Sequence, residues 1–564
     1  MMRARQYILP VLILVFLFAF LVWPLLYVFK NAIVDKHGPT LLYLRTLLTD
    51  PAQLQAIGTS FLIAILVTAC SLAIAMPVAW VVARRSFRGR SFISWAVMIP
   101  MILPPFVGAV GMKVLFARFG AFTTLLMKIG LVDAPIDWLG ISPLAGVVVM
   151  ESLHLFPVLY LTLVAAFSNI DPSLEEAAAN LGASPWRVFR RVDMPLAGPG
   201  LFAGTILVFI WSFTELGTPL VFGFRRVLPV MVYDKISEVG TNPLGYAQVV
   251  LLLFVAGMGF WISKRMTRIR GGVATLGRMS VARQDRALTG CGALAVQVSV
   301  GLILLVAILP HISVVLVSLS KNWLTSVVPQ GFTLEFYARA IGSELTRTAL
   351  CNSLILAFGA TVLDVILGFA VAWLCVRRRL IGVDWLDTIS MIPLAVPGVV
   401  IAFGYLGCFS GGPFKNTLLD PRFNPMLILA ISFAIRRMPY MVRAAHAGLE
   451  QTSKVYEEAA ANLGATPYRV IWRITLPLIS ANLLAGGILC FAFSMLEVSD
   501  SLILAQTEKF YPITKAIYVL MEQLENGTNV AAALGVWAMV LLAAAMLWAS
   551  SLLGKRMGQM FRAG

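Results

Sequence analysis

Charged residues are scarce in this 564-residue sequence. Lys, Arg, Asp and Glu make up 13% of it, whereas hydrophobic residues make up 59%. Soluble domains carry about 25% charged residues, so this composition excludes an ordinary soluble protein. A helix needs about 20 apolar residues to cross a bilayer. Twelve such segments are found, near residues 7–29, 57–83, 92–116, 143–168, 199–222, 246–263, 291–318, 349–376, 385–410, 425–448, 480–505 and 530–553. Because lipid admits only helices or closed barrels, we predict an all-α polytopic membrane protein with about 12 transmembrane helices.

Residues that carry catalytic or metal chemistry are also sparse. The sequence contains no G-x-x-x-x-G-K-[ST] motif, so it has no P-loop with which to bind ATP. The four His residues are scattered, which argues against a metal site. The six Cys residues form no C-x-x-C pair, and core packing is their expected role: Cys70, Cys291, Cys351, Cys375, Cys408 and Cys490. We therefore expect no cofactor and no catalytic residues.

The distribution of the basic residues predicts the orientation in the membrane. If the N-terminus is cytoplasmic and all twelve segments span, the inside loops contain 25 Lys or Arg and 9 Asp or Glu. The outside loops contain 15 and 12, respectively. This excess follows the positive-inside rule, so both termini are predicted to be cytoplasmic. The net charge of +17 thus reflects topology in a lipid bilayer and not nucleic-acid binding.

A long internal repeat divides the chain. Residues 175–196, EEAAANLGASPWRVFRRVDMPL, and residues 457–478, EEAAANLGATPYRVIWRITLPL, are identical at 15 of 22 positions. We call these the first and second islands. Other matching pairs surround them, such as MIPMILP and MIPLAVP, 293 residues apart. Six spans per copy keep both copies in the same orientation, so they are parallel six-helix repeats. The predicted boundaries are 1–263 for the first repeat, 264–290 for a basic cytoplasmic linker and 291–564 for the second repeat.

Each island reads as a short helix followed by a basic one. Asp171 and Ser453 suit the start of the first helix, and Gly182 and Gly464 suit its end. The following segments, WRVFRRV and YRVIWRI, have the amphipathic pattern of a helix lying along the membrane interface. The small Ala-rich surface of the first helix allows another protein to approach closely. Both islands are predicted to lie in the cytoplasm.

The islands resemble the EAA signature of membrane subunits of binding-protein-dependent ABC importers. That signature is Glu-Ala-Ala, three residues, Gly, nine residues and then Ile-x-Leu-Pro. The second island fits fully, and the first departs only at Val192 and Met194. The resemblance implies a permease with both membrane halves fused, in a bacterial inner membrane, working with an ABC ATPase dimer and a periplasmic solute-binding protein. It also implies that the islands are coupling helices that dock on the ATPase, through Glu175, Glu176, Ala177, Ala178, Gly182, Glu457, Glu458, Ala459, Ala460 and Gly464.

Ionisable residues within the predicted spans are candidates for the translocation pathway, since such residues are costly in lipid. His154 aligns with Arg436 in the repeat, and Glu215 aligns with Glu497. Pro157 and Pro439, three residues after the first of these pairs, are expected to break their helices. Pairing among these groups is an equally weighted alternative to a pathway role. The pathway candidates are Glu151, His154, Glu215, Arg436, Arg437, Glu497 and Asp500.

The transported solute is the least determined feature. The resemblance is strongest to fused permeases of the ferric-iron type. Arginines at membrane depth, in contrast, favour an anionic solute such as a phosphonate or a sugar phosphate. An ion-coupled secondary transporter is the alternative class, and an ATPase gene and a binding-protein gene beside this one would discriminate against it.

Overall fold

Helices dominate the chain in the computed structural model, which describes residues 7–35, 38–101, 104–141, 143–271, 286–288, 290–323, 325–378, 382–523 and 526–560. Most of the predicted linker 264–290 lies outside these residues. Before the linker the helices are Ile8–Leu17, Trp23–Ile33, Leu42–Thr49, Pro51–Arg84, Arg90–Ala96, Pro105–Leu115, Ala121–Lys128, Trp138–Ile141, Pro143–Ser168, Pro172–Asn180, Pro185–Val188, Met194–Phe213, Gly217–Val221, Leu228–Asp234 and Leu244–Gly271.

A second series of helices follows the linker. They are Gly290–Leu319, Glu335–Gly342, Glu344–Arg377, Val383–Met391, Gly398–Phe409, Met426–Gln451, Val455–Asn462, Pro467–Val470, Leu476–Leu478, Ser480–Met495, Ser499–Leu504, Ile513–Met521 and Gly527–Met560. Single π-helical turns cover Phe18–Val22, Phe189–Asp193 and Ile471–Thr475. The strands among the described residues are only two or three residues long. They pair as Val34–Asp35 with Gly38–Pro39, Arg85–Ser86 with Arg286–Ala287, and Ser320–Asn322 with Gln330–Phe332.

Apolar helices of membrane-spanning length confirm the predicted fold class. Among the described residues, eight single helices are long and apolar enough to span, and three bent helix pairs raise that number to 11. The bent pairs are Arg90–Met101 with Pro105–Leu115, Val383–Ala395 with Gly398–Phe409, and Pro467–Leu478 with Ser480–Met495. Met426–Gln451 corresponds to the remaining predicted segment and is less apolar because it carries Arg436, Arg437 and Arg443. Each of the twelve predicted segments thus coincides with a helix or a bent pair.

One compact unit combines Met1–Leu48, Val232–Leu253 and Tyr337–Gly564. Its centre is the packing of Glu344–Arg377 against Met426–Gln451 and Ser480–Met495. The first helical segment of the chain belongs to this unit, where Trp23–Ile33 packs on Gly398–Phe409. Tyr405 fixes that contact by donating a hydrogen bond of 2.5 Å to the carbonyl oxygen of Phe20.

The other compact unit combines Thr49–Met231 and Phe254–Phe336. Pro51–Arg84, Pro143–Ser168 and Met194–Phe213 pack against one another in it, and Gly290–Leu319 packs on Pro105–Leu115. Gly111 permits this last approach, because a Cβ there would lie 2.7 Å from the Cβ of Ser313. The first helix of each half therefore groups with helices of the other half. The repeat boundaries predicted above refer to the duplication in the sequence and stay a prediction.

Two local expectations were wrong. Pro157 lies inside the continuous helix Pro143–Ser168, and Pro439 lies inside Met426–Gln451, so neither proline ends its helix. Within a membrane bundle, neighbouring helices and side chains satisfy the backbone group that a proline releases. The basic segment of the first island is also not a separate helix. It forms the start of the continuous helical run Pro185–Val221, in which a π-helical turn covers Phe189–Asp193 and Pro195 lies at the start of the next α-helix.

Candidate functional site

The first island forms a short capped helix, Pro172–Asn180. The carboxylate of Asp171 accepts a hydrogen bond of 2.9 Å from the backbone N–H of Ser173, and this bond lowers the pKa of Asp171. At the other end Gly182 has φ +80°, a left-handed conformation that glycine adopts without strain. The N–H of Ala183 then bonds the carbonyl of Ala178 and closes the helix. The predicted start and end of this helix are confirmed.

The second island is built in the same way. Its helix is Val455–Asn462, and the hydroxyl of Ser453 accepts a bond of 3.3 Å from the N–H of Val455. Gly464 has φ +85°, and Ala465 bonds back to the carbonyl of Ala460. The two copies thus reach the same helix with different residues at the cap.

One face of each island helix is open to solvent and partly apolar. Leu181 and Leu463 are each 90% exposed, which is unusual for leucine. The exposed residues beside them are Glu176, Ala177, Gly182 and Trp186 in the first island and Glu458, Ala459, Gly464 and Tyr468 in the second. Exposed apolar groups rimmed by polar ones mark a surface for another protein. We call these two faces the docking faces.

The remaining predicted coupling residues face inward. Ala178 and Ala460 are half-buried, as are Glu175 and Glu457. Arg84 forms an ion pair with Glu175, and the Nε of Arg377 lies 2.9 Å from Oε1 of Glu457. Sequence reasoning missed both arginines. Their spacing of 293 residues, the offset that relates the second spans of the two repeats, is the signal by which they could have been found.

The pathway candidates of the second repeat form one buried cluster. Nη1 of Arg436 lies 2.5 Å from Glu497 and 3.4 Å from Asp500, and Arg437 also pairs with Glu497. Arg437 further donates to the carbonyl of Phe493 at 2.8 Å, and Ser432 donates to Asp500 at 2.7 Å. Two guanidinium groups face two carboxylates, so the formal charge of the cluster is zero. Both arginines are therefore paired, and they give no free positive site for an anion.

The pathway candidates of the first repeat have a different arrangement. Ser212 donates to Oε2 of Glu151 at 2.5 Å, while Oε1 of Glu151 has no hydrogen-bond partner among the described residues. Oε1 of Glu215 accepts from the N–H groups of Gly217 and Thr218. Glu151, Ser212 and Glu215 line a small cavity of about 10 Å³ together with Ser60. Two carboxyl groups thus face the same small cavity.

A histidine replaces the arginine that the second repeat uses. His154 aligns with Arg436, and its Nδ1 lies 3.1 Å from the carbonyl oxygen of Pro100. In the part of the chain that the structure describes, no group of three or more His, Cys, Asp or Glu residues is arranged to hold a metal ion. The described residues at membrane depth thus supply charge and hydrogen bonds.

Comparison with known proteins gives relatives over most of the chain. The chain is 26% identical over 511 residues to the putative ferric transport system permease protein FbpB 1 of Haemophilus influenzae, covering 88% of this chain and 77% of the relative. It is also 26% identical to the ferric transport system permease protein FbpB of Actinobacillus pleuropneumoniae, covering 98% and 79%. The molybdenum transport system permease protein ModB of Haemophilus influenzae is 32% identical, covering 39% of this chain and 97% of the relative.

A solved structure and a family model complete the comparison. The crystal structure of a bacterial ABC transporter that imports the acidic polysaccharide alginate aligns with a TM-score of 0.38 and 17% identity, covering 47% of this chain and 97% of the other. The model of the binding-protein-dependent transport system inner membrane component matches twice, at residues 75–268 and 364–561. Each match contains one island. The chain belongs to this family and is a fused, two-repeat permease subunit of an ABC importer, a multi-pass membrane protein whose family works with ATPase and binding-protein partners.

Proposed function

We propose that this chain forms the translocation pathway of a ferric-iron importer in a bacterial inner membrane. The assignment of ferric iron as the solute is based on how much of this chain the ferric permeases match. They match 88% and 98% of the chain, through both repeats, whereas the molybdenum permease matches 39% of it. The termini and both islands are cytoplasmic in this proposal, and a periplasmic binding protein delivers the iron.

The charges at membrane depth weaken the case for an anionic solute. The arginines that favoured an anion are neutralised by Glu497 and Asp500. The first repeat contributes Glu151 and Glu215 without an arginine at the positions aligned with Arg436 and Arg437, which are His154 and Leu155.

The driving force comes from a separate ATPase dimer that binds both docking faces. Because the sequence has no P-loop, hydrolysis must occur on another chain. Closure of the two ATPase subunits brings the islands together, and the attached helices switch the cavity between outward-facing and inward-facing states. This is a rigid-body transition driven by a local event.

Uptake by purified components tests the solute. The permease is reconstituted in liposomes with its ATPase and the binding protein encoded beside it, and radiolabelled ferric iron is supplied on the binding protein. We expect uptake that requires ATP and stops with a non-hydrolysable analogue. Uptake of labelled molybdate in place of iron would contradict the ferric assignment. Uptake that needs an ion gradient and no ATP would contradict the proposed ATP-driven mechanism.

A further inference from the structure

Arg84 connects three segments of the first repeat. It is the last residue of the helix Pro51–Arg84, and its side chain is only 4% exposed. It pairs with Glu175 of the island helix and donates a hydrogen bond of 3.1 Å to the carbonyl of Ile170, where the chain enters the island. Asp193, where the chain leaves the island, lies 3.8 Å away. One side chain therefore holds the end of the second span against both ends of the island.

Arg377 repeats these contacts in the second repeat. It is the last residue of Glu344–Arg377, and its side chain is 5% exposed. It bonds Glu457 at 2.9 Å and the carbonyl of Thr452 at 2.9 Å. Thr475, which aligns with Asp193, donates to the same Glu457 oxygen at 3.2 Å. The two islands differ at seven of 22 positions, yet both retain the arginine, the glutamate that it pairs with and the bonded backbone carbonyl. We call the paired residues, Glu175 and Glu457, the inner glutamates.

Stability alone is a weak explanation for this arrangement. Burying an ion pair removes two charges from water, and well-packed apolar residues are often as stable or more so. What a buried, multiply bonded arginine does provide is a fixed geometry between the segments that it joins. Each island helix is otherwise a solvent-exposed segment, since neither Pro172–Asn180 nor Val455–Asn462 contains a buried residue.

The position of each inner glutamate relative to the docking face indicates a role. Neighbouring helix residues point about 100° apart. Glu176 and Glu458 are exposed, whereas Glu175 and Glu457 turn toward the arginines. One side of each island helix is thus available to a partner while another is attached to the second span of its own repeat.

We propose that Arg84–Glu175 and Arg377–Glu457 are positioning pairs that make each coupling helix move as one body with the cytoplasmic end of the second span. This inference rests on the proposed function, since it assumes that the ATPase moves the docking faces. When a pair is broken, the ATPase still binds and hydrolyses ATP, but the displacement of the island no longer reaches the membrane helices. The pair thus sets the amount of solute carried per ATP and not the affinity for the ATPase.

The test compares inner and outer glutamates in the reconstituted complex. The variant Glu175→Gln with Glu457→Gln keeps the side-chain shape and removes the ion pairs. We expect normal copurification of the ATPase and retained ATP hydrolysis, with at least about a fivefold loss of solute carried per ATP, the low end of typical coupling effects. Exchanging the charges within each pair, by Arg84→Glu with Glu175→Arg and Arg377→Glu with Glu457→Arg, is expected to recover part of the lost ratio.

A ratio of solute to ATP equal to that of the unmodified protein in the glutamine variant would overturn the proposal. If that variant does not accumulate in membranes, Arg84→Lys with Arg377→Lys decides. Lysine keeps the charge but lacks the planar guanidinium fork with which arginine reaches the glutamate and the carbonyl through different nitrogens. A normal ratio of solute to ATP in the lysine variant overturns the proposal, and a lowered ratio supports it.

The matched control, Glu176→Gln with Glu458→Gln, is expected to weaken ATPase copurification. Full binding and transport by this control would contradict the docking proposal without bearing on the positioning pairs.

Discussion

At the scale of single residues, the paired glutamates of each island have different surroundings. The EAA pattern predicts a coupling helix, but it cannot show which of Glu175 and Glu176 is buried. The buried side of a short exposed helix is determined by the residues that pack against it. Here that residue is Arg84, 91 residues earlier in the sequence. A long-range partner of this kind becomes visible from the sequence only when the two repeats are aligned and their charges compared.

The two adjacent arginines of the second repeat are expected to respond differently to truncation. Arg437 is 9% exposed and bonds both Glu497 and Phe493, so Arg437→Ala removes the donor to Oε2 of Glu497 and to the carbonyl of Phe493. Arg436 then remains the only one of the two arginines beside Glu497 and Asp500. Breaking a buried ion pair in this way costs about 3–5 kcal/mol. We expect less Arg437→Ala protein in the membrane, measured by quantitative immunoblotting.

Arg436 is more accessible, at 20% exposure, and it faces Asp500 as well as Glu497. Arg436→Ala is expected to accumulate better than Arg437→Ala and to lose solute uptake while retaining the ATPase. The opposite order, with Arg436→Ala transporting normally and Arg437→Ala present but inactive, would show that the repeat alignment chose the wrong pathway face.

At the scale of the elements, composition and periodicity predicted the helices well and their breaks poorly. Runs of apolar residues predicted the eight single spanning helices and the three bent pairs, and Gly182 and Gly464 marked the correct helix ends. Pro157 and Pro439 did not end their helices, whereas Val383–Ala395 and Gly398–Phe409 meet at 103°. Whether a proline ends, bends or merely interrupts a membrane helix depends on the neighbours that satisfy the freed carbonyl, and these neighbours are distant in sequence.

Gly368 lies where two helices pack closely, so we expect a larger side chain at this position to destabilise the protein. A Cβ there would lie 2.5 Å from Cγ of Met441, across the contact between Glu344–Arg377 and Met426–Gln451. Gly368→Val is expected to force these helices apart and to cost about 1–3 kcal/mol, the usual cost of overpacking. Thermal unfolding of the purified protein, followed by fluorescence, measures the loss as a lower midpoint.

Gly359→Val is the matched control, since Gly359 lies in the same helix with nothing within 4 Å of its Cβ position. It changes helix propensity equally without touching a neighbour, so its midpoint should stay near that of the unmodified protein. Equal midpoints for the two variants would show that the close approach at Gly368 does not contribute to stability.

At the scale of the whole molecule, the sequence predicted the duplication but did not predict which helices pack together in each compact unit. Two matches to the same family model follow the two repeats. The compact units, however, place Trp23–Ile33 with Gly398–Phe409, and Gly290–Leu319 with Pro105–Leu115. Repeated motifs reveal which segments are equivalent, but they contain no information on which copy of a helix packs against which.

The predicted orientation can be tested with two exposed leucines in a background without native cysteines. Leu463 lies on the second docking face and is 90% exposed, and Leu418 lies in a predicted outside loop and is 62% exposed. We expect a membrane-impermeant maleimide added to intact spheroplasts to label Leu418→Cys and not Leu463→Cys. Labelling should reverse in inside-out vesicles. Labelling of Leu463→Cys in intact spheroplasts would contradict the positive-inside assignment.

Two docking faces that hold two ATPase subunits are central to the proposed coupling mechanism. Native mass spectrometry of the detergent-purified complex, coexpressed with the neighbouring ATPase, counts the subunits without requiring a known solute. We expect two ATPase chains per permease chain, and none when both docking faces are altered by Glu176→Ala, Leu181→Ala, Glu458→Ala and Leu463→Ala. Two ATPase chains retained by that fourfold variant, or none bound by the unmodified protein, would contradict the account.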